Sequence, residues 1–315
     1  MTNQTSNANI EIKSVTIIGA GAIGLSWTAL FLVNGLKVTI SDPRADIEEA
    51  ALKGIEEMIP SLHALGYITE DITANLYFEK DINKAVTDAD IIQENGPENV
   101  EFKQNLYAGF EDHLKPTALV LSSSSSIPAT VFAAKMKDPG RVLIGHPFNP
   151  PHLIPLVEVV PGEKTSTAAV KDAIAFYSSV GKSPILIEKE IPGFVANRLQ
   201  AALMRESVNL VSTGVVTMEN LDQIVSNSIG LRWAAAGPFK TFTLGGGPGG
   251  LPHFLQHLGP VLEGLWKVLG DPHFDKPTVD LLIEQVNNCY GKIPYEDLTR
   301  ERDEQQLAVM KALNK

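Results

Sequence analysis

The chain has 315 residues, 44% of them hydrophobic, and a formal charge of −11. That apolar content can fill the cores of about two domains, and the negative charge argues against nucleic acid or an anionic membrane surface as a partner, since both need a concentrated positive field. Cys289 is the single cysteine, which excludes an intrachain disulfide and fits a reducing, cytoplasmic compartment.

The first dozen residues read as a polar tail with neither the basic nor the apolar region of a secretory signal. No apolar run approaches the ~18 residues that would span a bilayer. From there to about residue 190, short β-branched runs alternate with longer amphipathic stretches, the βαβ pattern of a parallel sheet covered by helices. The spacing predicts strands at 15–18, 37–40, 91–93, 119–121, 142–145, 156–160 and 184–187, with helices near 22–34, 44–58, 98–112 and 166–180. After Ile191-Pro192-Gly193 the strand signal stops, and helices are predicted at about 194–213, 218–227, 249–269, 277–290 and 295–312, broken by Gly and Pro.

Residues 15–24 read VTIIGAGAIG, which puts Gly19, Gly21 and Gly24 in G-x-G-x-x-G spacing between an apolar strand and an amphipathic run, with Ala22 and Ile23 inside the turn. Gly19 permits the tight turn, Gly21 lets backbone approach a pyrophosphate, and Gly24 lets helix pack on strand. The helix N-terminus adds free N–H groups and a positive dipole end. A second strand, KVTIS, ends at Asp42, where a carboxylate can accept both hydroxyls of a ribose and repel a 2′-phosphate. NAD is therefore favoured over NADP. The fold class predicted is α/β: an N-terminal Rossmann-type, doubly wound, mostly parallel sheet over residues 1–190, and an all-helical domain over 191–315.

The stretch GHPFNPPHLIPLVE, residues 145–158, follows a strand and so lies at the edge where open α/β sheets bind ligands. Pro147 should end that strand, and Pro150 and Pro151 should stiffen the loop. Glu158 interrupts an apolar strand, where an unpaired carboxylate would cost several kcal/mol. His146 is a candidate partner, and a carboxylate on one imidazole nitrogen frees the other to take a proton. Equally, Glu158 could bond backbone or a lysine while His146 plays a structural part.

Taken together, VTIIGAGAIG, PENVEFK, the serine run at 122–126, GHPFNPPHLIPLVEVV and PGFVANRLQ resemble the L-3-hydroxyacyl-CoA dehydrogenase family in order and spacing. The branch most similar contains lambda-crystallin, an L-gulonate 3-dehydrogenase, and L-carnitine dehydrogenase. The resemblance implies that His146 is the general base for the 3-hydroxyl proton and that Glu158 orients it. It implies that Ser125 and Asn197 contact the substrate oxygen, that Glu98 and Lys103 lie near the nicotinamide ribose, and that the helical part carries a homodimer interface. A catalytically silent, crystallin-like role is weighed down by competent residues at every one of these positions.

Residues 44–80 carry eight acids and three bases, a poor surface for the phosphates of CoA. A small free 3-hydroxy acid, L-gulonate first and L-carnitine as an alternative, is favoured over a CoA thioester. Arg232 in GLRWAAAGPF stands where the acyl-CoA enzymes, by resemblance, have an uncharged residue, so it is a candidate anchor for a substrate carboxylate; an ordinary surface arginine is the alternative. His253 and His257 have the i,i+4 spacing of zinc ligands but lack the rest of that motif, so no metal is expected.

Overall fold

A computed structural model of the chain describes residues 12–313. Residues 1–11, most of the polar tail, lie outside them. The chain divides after Val195 into two compact units.

The first unit is built on one eight-stranded sheet. Its strands are β1 (Ser14–Ile18), β2 (Lys37–Ser41), β3 (Leu76–Phe78), β4 (Ile91–Glu94), β5 (Leu119–Ser122), β6 (Val142–Pro147), β7 (Leu156–Pro161) and β8 (Ser183–Leu186), in the order β3-β2-β1-β4-β5-β6-β7-β8. Neighbouring strands run parallel throughout, except that β7 is antiparallel to β6. The α-helices of this unit are α1 (Ala22–Val33), α2 (Ile47–Ala64), α3 (Ile82–Thr87), α4 (Val100–Phe110), α5 (Ala129–Phe132) and α6 (Thr167–Ser179).

Alternation along each strand explains why both faces are covered. Val15 and Ile17, Leu119 and Leu121, Leu143, Val157 and Val159 face one cluster, filled by Trp27, Phe31, Ala51 and Phe176 of α1, α2 and α6. The intervening Ile18, Val120, Ile144 and Val160 face a second cluster with Tyr107, Phe110 and Phe132 of α4 and α5. Strands buried on both faces read as continuous apolar runs, which is the doubly wound arrangement predicted.

β3, α3 and α5 were not predicted, because three to six residues are too few to show a period. β6 runs two residues past its predicted end, through His146 and Pro147, because its antiparallel partner β7 continues the pairing there. α2 continues through Pro60, and its last turn buries Ser61 and Leu62. That burial offsets the hydrogen bond a helical proline forgoes.

The second unit consists of α7 (Ala196–Ser212), α8 (Met218–Asn227), α9 (Ile229–Ala235), α10 (Pro238–Gly245), α11 (Gly250–Trp266), α12 (Lys276–Cys289) and α13 (Tyr295–Leu313). The GGGPGG segment makes the tight turn from α10 to α11, where Phe242 and Phe254 pack with ring centroids 4.8 Å apart. Among the described residues no helix is long and apolar enough to cross a membrane.

Candidate active site

The carboxyl ends of the parallel strands β1, β2, β4, β5 and β6 share one edge of the sheet. At β1, Gly19 has φ +77°, and a Cβ on Gly24 would stand 2.1 Å from the Gly19 carbonyl oxygen. Turn and helix can approach this closely only as glycines. Gly21 caps α1 without a side-chain bond, and a Cβ there would meet nothing within 4 Å. The first turn of α1, with the Ala22 and Ile23 N–H groups, thus has room beside it for an anion such as a dinucleotide pyrophosphate.

Asp42 follows β2 directly. Its Oδ2 accepts from the Ala20 N–H at 2.8 Å, and its Oδ1 accepts from the Arg44 backbone N–H and Nε, each at 3.0 Å. Burial pushes this carboxyl up, but the bonds from Arg44 and Ala20 outweigh it and hold the group below the usual carboxylate range. A fixed anion at this point suits ribose hydroxyls and opposes a 2′-phosphate. The residues present therefore fit NAD.

Glu98 and the serine run meet at the ends of β4 and β5. Glu98 accepts from the Ser124 hydroxyl at 2.8 Å, from the Ser125 N–H at 2.6 Å and hydroxyl at 3.1 Å, and from the Ser126 N–H at 3.1 Å. Burial raises its carboxyl, while these donors and the nearby Lys103 charge bring it below the usual range. Ser125 is thus held by a carboxylate, a contact the sequence reading did not foresee.

Lys103, expected near the nicotinamide ribose, is fully buried. Its ammonium donates to both oxygens of Glu94 at 2.7 Å, and Glu94 also accepts from the Ser122 hydroxyl at 2.6 Å and the Tyr107 hydroxyl at 3.0 Å. Burial first, then the Glu94 charge, pushes the Tyr107 phenol up, so it stays a donor. In this geometry Lys103 neutralises a buried carboxylate and offers no exposed donor. Glu94 could have been found by the argument used for Glu158, since it too is a carboxylate in an apolar strand.

His146 and Glu158 are direct cross-strand partners in β6 and β7. Nδ1 of His146 lies 2.8 Å from Glu158 Oε2, and the Val195 N–H donates to Oε1 at 3.0 Å. An ionised carboxylate can only accept, so opposite one an imidazole presents its N–H through Nδ1 and keeps its lone pair on Nε2. Phe148 and Phe194, each with its ring centroid 5.4 Å from the imidazole, hold the ring in place. Gly145 precedes it for a steric reason: a Cβ there would stand 1.8 Å from the Tyr177 hydroxyl.

Two buried groups near this pair escaped the sequence reading. Lys182 donates to the Pro151 and Ile154 carbonyls and lies over the Trp27 ring. His152 bridges Ser26 of α1 at 2.8 Å and Ser61 of α2 at 3.0 Å. Lys182 stands outside every motif quoted above, and His152 lies inside GHPFNPPHLIPLVE with no role assigned to it there, so only long-range packing reveals their partners. Asn197 and Arg232 belong to the second unit, half-buried near the start of α7 and exposed in α9 respectively. His253 and His257 form an exposed face of α11, with the His257 Nδ1 2.9 Å from the His253 carbonyl oxygen.

Residues 14–191 match the NAD-binding domain of 3-hydroxyacyl-CoA dehydrogenase, and residues 193–284 match its C-terminal domain. The chain is 46% identical over 311 residues to a 3-hydroxyacyl-CoA dehydrogenase of Gibberella moniliformis, covering 97% of this chain and 96% of that one. It is 40% identical over 302 residues to L-carnitine dehydrogenase of Streptomyces coelicolor, covering 96% and 95%. Among solved structures it is similar to 5-formyl-3-hydroxy-2-methylpyridine 4-carboxylic acid 5-dehydrogenase, an NAD+ dependent dismutase, with a TM-score of 0.82 and 31% identity over 96% of this chain and 99% of that one. With its glycine turn, its Asp42 anion and both halves matched in order, the chain belongs to the 3-hydroxyacyl-CoA dehydrogenase family of NAD-dependent oxidoreductases.

Proposed function

We propose that the protein oxidises the 3-hydroxyl of a small L-3-hydroxy acid that carries a free carboxylate, with L-carnitine as the first substrate to test and L-gulonate as the second. The observation that carries the chemistry is the His146–Glu158 pair at 2.8 Å. Nε2 of His146 takes the hydroxyl proton, and Glu158 stabilises the imidazolium that forms. NAD, when bound, supplies the hydride acceptor. The Ser125 hydroxyl is assigned to the substrate oxygen as it becomes a carbonyl; Asn197 is assigned the same role on the family pattern alone.

A free acid is preferred to a CoA thioester because the segment that includes α2 is acidic: Glu48, Glu49, Glu56 and Glu57 are all exposed. Such a face repels the phosphates of CoA. Arg232 suits a substrate carboxylate because its planar guanidinium can bond both oxygens. L-carnitine is placed before L-gulonate because relatives of that activity align along 96% of the chain. The second reading, a CoA thioester, is favoured by the Gibberella relative. A homodimer is part of the proposal, supported by large exposed apolar side chains in the helical unit, such as Leu258, Val261 and Trp266 on α11.

Initial rates of NADH formation with L-carnitine, L-gulonate, L-3-hydroxybutyrate and 3-hydroxybutyryl-CoA test the reading. Turnover of L-carnitine or L-gulonate well above that of the CoA ester is expected. Turnover confined to 3-hydroxybutyryl-CoA rejects the free-acid reading and establishes the second.

A further inference from the structure

The loop from Phe148 to Pro155 joins the strand carrying His146 to the strand carrying Glu158. It is pinned from outside by groups that belong to neither strand. Lys182, between α6 and β8, is 7% exposed, and its ammonium donates to the carbonyls of Pro151 and Ile154 at either side of the loop's bend. The same ammonium lies 5.6 Å from the centroid of Trp27, on the helix that begins at the dinucleotide turn. His152, between the two carbonyls, is tied to Ser26 on that same helix through both its ring and its backbone N–H. Among the described residues no carboxylate pairs with Lys182, so a costly buried cation is kept for two backbone carbonyls and an aromatic face.

We infer that Lys182 is a positioning residue for the catalytic pair, its ammonium fixing the loop between β6 and β7 so that His146 and Glu158 stay in register with α1. The inference rests on His146 and Glu158 being the reacting pair. The ammonium has three donors and uses them in divergent directions, toward the bend of the loop and toward α1. A neutral amine keeps fewer donors and loses the attraction of the ring. The titratable groups on the elements about it include His152 of the loop, Glu158 of β7, Tyr67, whose hydroxyl would stand 2.8 Å from a Cβ on Gly181, and Lys171, Asp172 and Tyr177 of α6; burial pushes the Tyr177 phenol far up, so it stays neutral. Burial pushes the Lys182 ammonium down, to about 7. The tether is therefore complete on the acid side of that value and slackens as pH rises through it.

Steady-state kinetics across a pH series on wild type, K182M, K182R and H146A test this, with NADH affinity read separately by fluorescence titration. K182M is expected to lose ~10- to 100-fold in kcat, the scale of a small misplacement of reacting groups, while NADH affinity changes less than threefold. Wild type is expected to show a falling alkaline limb in kcat that K182R lacks, because a guanidinium does not deprotonate. Wild-type kcat in K182M overturns the inference, as does an unchanged alkaline limb in K182R. If K182R does not fold, K182M decides alone. H146A separates the two levels: an active H146A rejects the catalytic pair itself, whereas an inactive H146A beside a fully active K182M rejects only the role of Lys182.

Discussion

His146 and Glu158 face each other across an antiparallel strand pair, with Nδ1 2.8 Å from Oε2. They stand in the only antiparallel pairing of an otherwise parallel sheet among the described strands. The reversal matters because directly opposed residues in an antiparallel ladder have side chains on the same face, close enough to bond.

Removing the proposed base should separate chemistry from binding. H146A is expected to lower kcat by about 10²–10⁴-fold, the usual span for a general base, with NADH affinity nearly unchanged. E158Q keeps the shape but loses the anion, so a smaller loss in kcat is expected, with the larger share in kcat and little in KM. Stopped-flow hydride transfer with fluorescence titration of NADH checks both. Near-wild-type turnover in H146A would mean that the proton leaves by another route.

Asp42 is held ionised by Arg44 and Ala20. D42A removes the anion and releases the Arg44 guanidinium beside the cofactor turn. NADPH affinity should rise and NADH affinity fall, moving the ratio by at least ~10-fold, about 1.4 kcal/mol. Calorimetric titration of both nucleotides measures it. An unchanged ratio would show that Asp42 does not face the ribose.

Lys103 and Glu94 form a buried pair, and breaking one side leaves an uncompensated charge. K103M is expected to cost about 3–5 kcal/mol in urea unfolding. The double variant E94L/K103M should recover much of that loss, because an apolar pair of similar volume replaces the ions. Equal instability of single and double variants would argue that packing, not charge, sets the cost.

Asp90 supports the opposite end of the sheet through Lys115 at 2.8 Å and through the N–H groups of Lys13 and Ser14. Burial pushes its carboxyl up, but those donors prevail and hold it below the usual 3.8. A carboxyl depressed in the folded state contributes stability that is fully present above its unfolded value and is lost as pH falls through its folded value. D90N should therefore be less stable than wild type by about 2 kcal/mol at neutral pH, with the gap closing as pH falls below about 4. Urea midpoints across an acid series check this, and a gap independent of pH would rule out the ionised form as its source.

The sequence by itself determined the doubly wound sheet, the helical second unit and the dinucleotide turn. Those features are local: a glycine spacing, a β-branched run and an Asp at a strand end are written within a few residues, and steric and hydrophobic periodicity reads them directly. It also placed His146 and Glu158 as an open question. Only the tertiary structure could make them partners, because strand direction and register between β6 and β7 depend on pairing, not on the spacing of twelve. The same holds for Glu98 on the serine turn, for the burial of Lys103 against Glu94, and for the contacts of Lys182 and His152 at the loop between β6 and β7. Each joins segments separated in the chain, and a buried charge or hydroxyl selects its partner by proximity within the packed core, which no local pattern encodes.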